Sequence, residues 1–587
     1  MLRAVAAATL SLAALSGCAA QLADRSAPTA SPVEVKVIAF NDFHGNLEPP
    51  KQFVEHPAPG ESATRVAAGG AAYLASAIGA LRTRNPNNVV VSAGDMIGAS
   101  PLASGLFLDE PTILAMNLIK LDFNAVGNHE FDRGRAELLR MQNGGCEKHT
   151  KVEPCRLDKD FPGARFGFLG ANVITENGST LFPGSGVRSF GSGASKVRVG
   201  FIGMTLKNTP PLVDRRSVAG LTFADEAATA NALAAKLRSE GADAVVLLIH
   251  EGLRPKTGYN DKSCGALGGD LPPILSRLDL SIDLVVSGHT HFAYVCDYGT
   301  IDKARPFLVT SAGRYGTVVT DITLSIDPES HKVVAKRAEN MIVQGEAFTG
   351  PEGEVPLSTQ VPRYAPEPAV AALVARYVAA AAPLADRVVG RLTAPATEAR
   401  TASGERVLGN LIADAQLAAT KPLGAEVAFM NSTGVRTDLV PGPDGSVTFA
   451  QLFAVHPFGN SVVVRSYTGR QLKAILEQQF NSGTNTAEKP ILLLPSSNFG
   501  FAYDLRRPAG QRVLDVRLDG KPIEDSRVYR VAVNSFVAGG GDSFTLFTEG
   551  TDQVDGPQDV EALEAYIAAA NPLTPPPVGR LRKLGGD

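Results

Sequence analysis

Val33-Glu34-Val35-Lys36-Val37-Ile38-Ala39-Phe40-Asn41-Asp42-Phe43-His44-Gly45 is an apolar, β-branched run that ends in side chains able to bind a divalent cation. Runs of this kind read as buried strands, and Asp, His and Asn are donors to hard or borderline metals. The pattern recurs: Val89 to Val91 precede Gly94-Asp95, Val126 precedes Gly127-Asn128-His129-Glu130, Val245 to Ile249 precede His250, and Leu284 to Val286 precede Gly288-His289-Thr290-His291. A single Asp or His after a strand is more often a turn residue or a helix cap. Five strand ends together argue for one cluster, because in α/β proteins catalytic groups gather at the carboxyl ends of the strands. Two metals roughly 3.5–4 Å apart need a shared carboxylate and about three further ligands each, and the sequence supplies seven candidates.

The series Asp-x-His, Gly-Asp, Gly-Asn-His-Glu, His and Gly-His-x-His, in this order, resembles the calcineurin-like metallophosphoesterase family. The resemblance implies an α/β (α+β) chain whose N-terminal half is a four-layer αββα sandwich. It implies that Asp42, His44, Asp95 and His291 hold one metal, and that Asp95, Asn128, His250 and His289 hold the other, with Asp95 shared. Donors of this kind suit Zn, Mn, Co or Fe, with Mg also admitted. The expected chemistry is in-line attack on phosphorus by water whose pKa the paired cations lower. His129 would stabilise charge on the phosphoryl oxygens, Asp132 would hold its imidazole charged and oriented, and Asn128 would touch both metal and phosphate.

At 587 residues the chain is too long for one core and should hold two or more domains. A formal net charge of −4 and 44% hydrophobic residues describe an ordinary globular protein without a basic nucleic-acid track. Residues 33–345 are assigned to the metallophosphoesterase domain, 346–385 to a linker and 386–587 to a C-terminal domain. The linker is rich in Pro, Glu and Ala, with a helix expected from Pro368 to Ala382 and hinge residues around Ala380 to Arg387.

The second half carries Leu408-Gly409-Asn410-Leu411-Ile412-Ala413-Asp414 at helical spacing, then Asn431-Ser432-Thr433-Gly434-Val435-Arg436, His456-Pro457-Phe458-Gly459-Asn460 and Asn534-Ser535-Phe536-Val537-Ala538-Gly539-Gly540-Gly541-Asp542. Each alone suggests a turn or a core phenylalanine. Together they can clamp a flat base between two Phe rings, with Arg436 supplying charge and Asp542 accepting from ribose hydroxyls. These motifs look like the C-terminal domain of the 5′-nucleotidases, and the likeness extends to the UDP-sugar hydrolases. It implies that Phe458 and Phe536 sandwich the base, Asn431 approaches it, Asp542 binds ribose and Arg436 engages the nucleotide. The family has a further Arg ahead of the Gly-Asn of the first helix, and here Arg400 and Arg406 both stand at imperfect spacing. His456 is expected to be structural.

Arg3 and the apolar Ala4 to Leu15 read as a signal peptide, too short to span a bilayer, and Leu15-Ser16-Gly17-Cys18 resembles a bacterial lipobox, with a plain secreted chain as the alternative. Residues 1–17 would be removed, Cys18 lipidated, and 18–32 left as a tether at the periplasmic face, with sorting to the outer membrane. Four cysteines remain; an even count in an exported chain favours disulfides, with Cys146–Cys155 and Cys264–Cys296 preferred among three connectivities. The sequence thus points to hydrolysis of 5′-nucleoside monophosphates by two divalent metals, with nucleotide sugars, dinucleotides or 2′,3′-cyclic nucleotides as alternatives. A non-catalytic nucleotide-binding lipoprotein, or a thiosulfate-oxidation partner of the kind that shares this fold, is the remaining class. The expected partners are a nucleotide and, through Cys18 alone, the membrane, with neither nucleic acid nor an obligate protein.

Overall fold

The computed structural model describes residues 31–56, 63–265, 267–350 and 353–585. The expected signal peptide, Cys18 and most of the tether lie outside the described residues.

The opening run is strand Val33–Phe40, and it pairs in parallel with Asn88–Ser92, which leads on in parallel to Phe123–Ala125 and Gly167–Leu169. Val318–Asp327 and Lys332–Ile342 complete this six-stranded sheet on the other side, both antiparallel. A second six-stranded sheet has the order Ala293–Asp297, Leu308–Ala312, Leu284–Ser287, Ala244–His250, Val197–Thr205, Ser185–Phe190, and its middle strands are parallel. Val35, Val37, Val89 and Val91 of the first sheet pack on Val199, Val246, Leu248 and Val286 of the second. The alternate residues Ile38, Phe40 and Val90 face helices Ala71–Thr83 and Glu110–Ile119. Val245 and Leu247 face helix Glu226–Ser239. Layers run helix, sheet, sheet, helix, so the central strands are covered on both faces and read as continuous apolar runs.

Helix Pro368–Ala385 begins with Glu367, whose carboxylate accepts from the Val370 amide, and with Pro368 at a position where no amide is needed. It runs three residues beyond the expected Ala382. Pro383 sits in the last turn, where one intrahelical bond is lost at most, and Asp386 still donates to Ala382 O. Most of the expected hinge is therefore helical, and only Asp386 and Arg387 lie outside the helix. The helix docks on the first half through Val370, through buried Tyr377 edge-on to Phe107 at 4.9 Å, and through the Tyr377 hydroxyl, which donates to Asp158 at 2.7 Å.

The C-terminal half is built on a five-stranded sheet in the order Leu493–Pro495, Val427–Asn431, Val528–Asn534, Ser461–Thr468, Thr551–Gln558. Helices Val407–Thr420 and Asp559–Ala569 cover one face. The four-stranded sheet Lys521–Pro522, Val513–Leu518, Phe499–Tyr503, Leu581–Lys583 packs around the other through Phe429, Phe499 and Leu518. Disulfides join Cys146 to Cys155 and Cys264 to Cys296.

Candidate active site

All seven candidate ligands lie at the carboxyl ends of the central parallel strands. Val33–Phe40 delivers Asp42 and His44, Asn88–Ser92 delivers Asp95, and Phe123–Ala125 delivers Asn128; Ala244–His250 ends in His250, and Leu284–Ser287 leads to His289 and His291. Asp42, His44, Asp95, His289 and His291 all have φ between 47° and 69°, the left-handed region that costs a non-glycine residue energy. The loops accept that strain in order to turn the side chains inward. Glycines permit the crowding: a Cβ on Gly127 would lie 2.2 Å from Asp95 Oδ1, and one on Gly94 would lie 2.6 Å from His250 Nδ1.

The donors form two groups. Asp42, His44 and His291 converge within 4.8 Å of one another, and so do Asp95, His250 and His289. Asn128 Oδ1 joins the second, 3.1 Å from His289 Nδ1. Asp95 Oδ2 stands between them, 2.9 Å from His250 Nε2 and 3.6 Å from His44 Nε2. His44 Nδ1 donates to Gly98 O at 2.9 Å and His250 Nδ1 to Ala93 O at 2.7 Å. A carbonyl accepts only, so each contact puts the proton on Nδ1 and turns the Nε2 lone pair toward the site. The Nε2 atoms of His44 and His291 face each other at 3.2 Å, and the buried His250 Nε2 faces Asp95 Oδ2. Converging, buried lone pairs beside two carboxylates suit a pair of divalent cations.

The electrostatics agree. Burial holds His44 and His291 well below the ordinary imidazole range and brings His289 down to about 3, so these rings are neutral donors. Burial opposes a proton on His250 too, yet the Asp95 carboxylate pulls it up to about 10, so a proton and a cation compete for Nε2. Against its burial, His250 and His129 keep Asp95 well below the usual carboxylate range.

His129 stands at the rim. Its Nδ1 lies 2.9 Å from Asp132 Oδ2, and its amide donates to Asp95 Oδ1 at 2.9 Å. Burial resists charge on the ring, but Asp132 and Asp95 outweigh it and raise the pKa. On the far side the imidazole faces Phe458 of the C-terminal half, with centroids 6.0 Å apart and planes 20° from parallel.

One cavity of about 570 Å³ joins the halves. Asp95, Asn128, His129, Asp132, His289 and His291 line its metal end, and Arg400, Asn431, Arg436, Phe458, Phe536 and Asp542 line the other. Every expected substrate residue thus reaches the same space. Arg436 lies with its guanidinium 5.9 Å from the Phe458 ring, near enough to the metal end to lower His291. A Cβ on Gly541 would strike the Phe536 ring at 2.5 Å, which explains glycine there. Asp542 Oδ2 accepts from Asn431 Nδ2 at 2.7 Å and from the Thr433 hydroxyl. Asn431 Nδ2 also donates to Thr433 Oγ1, and its Oδ1 accepts from Asn534 Nδ2 at 2.8 Å. The Asn431 amide is thus committed to holding Asp542, with one acceptor lone pair left over. Of the two alternative arginines, Arg400 lines the cavity, while Arg406 is buried at the start of helix Val407–Thr420 with its Nη1 3.6 Å from Glu398.

Residues 35–293 match a family model described as calcineurin-like phosphoesterase, and residues 388–549 match one described as 5′-nucleotidase, C-terminal domain. The chain belongs to the 5′-nucleotidase family. It is a metal-dependent phosphoesterase that hydrolyses nucleotides. The solved 5′-nucleotidase precursor from Thermus thermophilus is 25% identical, with a TM-score of 0.71 over 94% of this chain and 100% of that one. NAD 5′-nucleotidase of Haemophilus influenzae is 25% identical over 88% of this chain and 86% of its own length. Endonuclease YhcR of Bacillus subtilis is 27% identical over 94% of this chain, which spans only 41% of that relative.

Two residues that stand inside the quoted motifs without an assigned role support the site in this family member. Glu130 is buried, and its carboxylate accepts from the amides of Gly127 at 2.6 Å, Met96 at 2.8 Å and Asp95 at 2.9 Å, tying the Asp95 and Asn128 loops together. Burial, then Asp95, pushes its pKa up to about 7. Asn41 donates to Asp42 Oδ2 at 2.6 Å and to Gly313 O at 2.7 Å. Neither points at a ligand, so no ligand pattern could reveal them. His456, expected to be structural, is buried against Asp559.

Proposed function

We propose that this family member hydrolyses 5′-nucleoside monophosphates to nucleoside and phosphate, with the substrate spanning the two halves of one cavity. The observation that carries this reading is the shared lining: metal-type donors at one end and two aromatic rings at the other. Asp42, His44, Asp95 and His291 would hold one divalent cation, and Asp95, Asn128, His250 and His289 the second. Bound there, the cations supply Lewis acidity that acidifies water and offsets phosphate charge.

The remaining roles follow from the chain's own groups. Phe458 and Phe536 take the base between them, and the Asp542 carboxylate, steadied by Asn431 and Thr433, accepts from the ribose hydroxyls. Arg436 and Arg400 draw the phosphate toward the metal end. His129, its Nδ1 fixed on Asp132, keeps a proton on Nε2 facing the cavity and donates a hydrogen bond to a phosphoryl oxygen as charge develops. Asn128 meets the same phosphate beside the second cation. The deciding experiment is phosphate release from AMP, UMP, a UDP-sugar, NAD and bis(p-nitrophenyl) phosphate by metal-reconstituted protein. Cleavage of AMP or UMP supports the reading; cleavage of the generic diester alone overturns it.

A second reading, cleavage of a dinucleotide or nucleotide sugar, is favoured by the likeness to the Haemophilus influenzae NAD 5′-nucleotidase, and the same panel separates it. We also infer export. Both disulfides support it, and acylation at Cys18 would anchor the chain at the periplasmic face of the outer membrane. Mass spectrometry of the mature N-terminus tests this; an unmodified cysteine or cleavage elsewhere removes the anchor.

A further inference from the structure

One buried carboxylate of the cavity has no part in the reading above. Asp559 opens helix Asp559–Ala569, is 1% exposed and lines the nucleotide cavity beside Phe458, Asn460, Asn534 and Phe536. Its Oδ1 accepts from the Val560 amide at 2.8 Å, and its own amide donates to Asn460 O at 2.9 Å, which ties it to the Phe458 loop. Its Oδ2 is buried without a hydrogen-bond partner among the described residues. Behind it lies His456, also fully buried, with Nδ1 3.3 Å from Asp559 Oδ1.

Capping the helix does not account for this residue. The first turn is already closed by a capping box between Gln558 and Glu561, with Gln558 N donating to Glu561 Oε2 at 3.1 Å. A buried carboxylate oxygen left without a donor is costly. Asp559 is among the residues that line the cavity at the end where the two phenylalanines stand, so a bound base can supply that donor.

We propose that Asp559, positioned by His456, is a specificity residue that accepts a hydrogen bond from an N–H group on the edge of the bound base. This rests on the nucleotide reading above. Stacking between Phe rings does not distinguish bases, since every base offers a π face. An acceptor at the base edge does, because a buried polar group left unpaired penalises the analogue that lacks the donor. Guanine offers N1–H and a 2-amino group and adenine a 6-amino group, at different places on that edge, so Asp559 is satisfied by one of the two in a given pose and favours it over the other. Unsubstituted purine has no such donor on that edge.

The test compares kcat/KM for GMP, AMP and purine riboside 5′-monophosphate in metal-loaded wild type, Asp559→Ala and Asp559→Asn. Wild type should disfavour the purine riboside nucleotide by about tenfold or more. Asp559→Ala should close that gap, mainly through KM, by weakening whichever of GMP and AMP wild type prefers while leaving the third substrate near its wild-type value. That third substrate also reports whether the variant folds; if Asp559→Ala does not, Asp559→Asn, close in shape, must narrow or reverse the preference. No gap in wild type, a gap that survives substitution, or an equal loss on all three substrates would overturn the proposal. If wild type cleaves none of the three but does cleave bis(p-nitrophenyl) phosphate, the nucleotide reading itself has failed, and this proposal with it.

Discussion

The imidazole of His129 faces the ring of Phe458 with centroids 6.0 Å apart and planes 20° from parallel, although 329 positions of chain and a linker helix separate them. Further contacts cross the same boundary: Asp542 N donates to Pro211 O at 2.7 Å, and Lys489 Nζ pairs with Asp270 at 3.2 Å. The C-terminal half is therefore packed directly against the loops that carry the metal-type donors.

If Phe458 stacks on the base, Phe458→Ala removes a contact worth about 1–3 kcal/mol. The KM for AMP should rise about tenfold, while hydrolysis of bis(p-nitrophenyl) phosphate, which has no base, stays near wild type. Steady-state kinetics on both substrates check this.

Asp132 holds His129 through Nδ1 at 2.9 Å. Asp132→Asn should lower kcat for AMP by about a hundredfold or more, with metal content unchanged. Loss of metal in this variant would instead make Asp132 part of the cation site.

Burial raises Asp542 above the ordinary carboxylate range, against the hydrogen bonds from Thr433 and Asn431. Its folded pKa exceeds its unfolded one, so its contribution to stability falls as pH rises from the unfolded value through the raised one. Binding runs the other way, because only the ionised group accepts freely from two hydroxyls. The KM for AMP should therefore increase as pH falls below the raised pKa, and that for 2′,3′-dideoxy-AMP should not. Parallel KM profiles against pH decide the matter.

Glu130→Ala leaves the amides of Gly127, Asp95 and Met96 without their acceptor. At about 1 kcal/mol or more each, the cost is about 3 kcal/mol, and the Asp95 loop loses its tie to Asn128. Urea unfolding should show the lower midpoint, and metal titration the weaker site.

The sequence exposes those residues whose chemistry suits a ligand. Asp42, Asp95, His250 and His289 are legible because a strand buried on both faces is a continuous apolar run, and a polar residue at its end has few other reasons to be there. Phe458, Phe536 and Asp542 are legible as a set of glycine-flanked motifs. Glu130 and Asn41 are not, because they bond to backbone brought close only by the fold. The choice between Arg400 and Arg406 depends on which way a loop turns into its helix, which spacing does not encode. The end of the linker helix is also hidden, since Pro383 signals a stop that the last turn does not need. Asp559 reads as an ordinary helix-start residue until its place in the cavity is seen.

The most direct test of the central claim is to count divalent metal ions and measure AMP hydrolysis in the same preparations of wild type and Asp95→Ala. Asp95 Oδ2 stands between the two donor groups, so the account predicts about two ions per chain in wild type, weakened retention at both sites in the variant, and loss of phosphate release by about a thousandfold or more. Full metal content with undiminished hydrolysis in Asp95→Ala would contradict it.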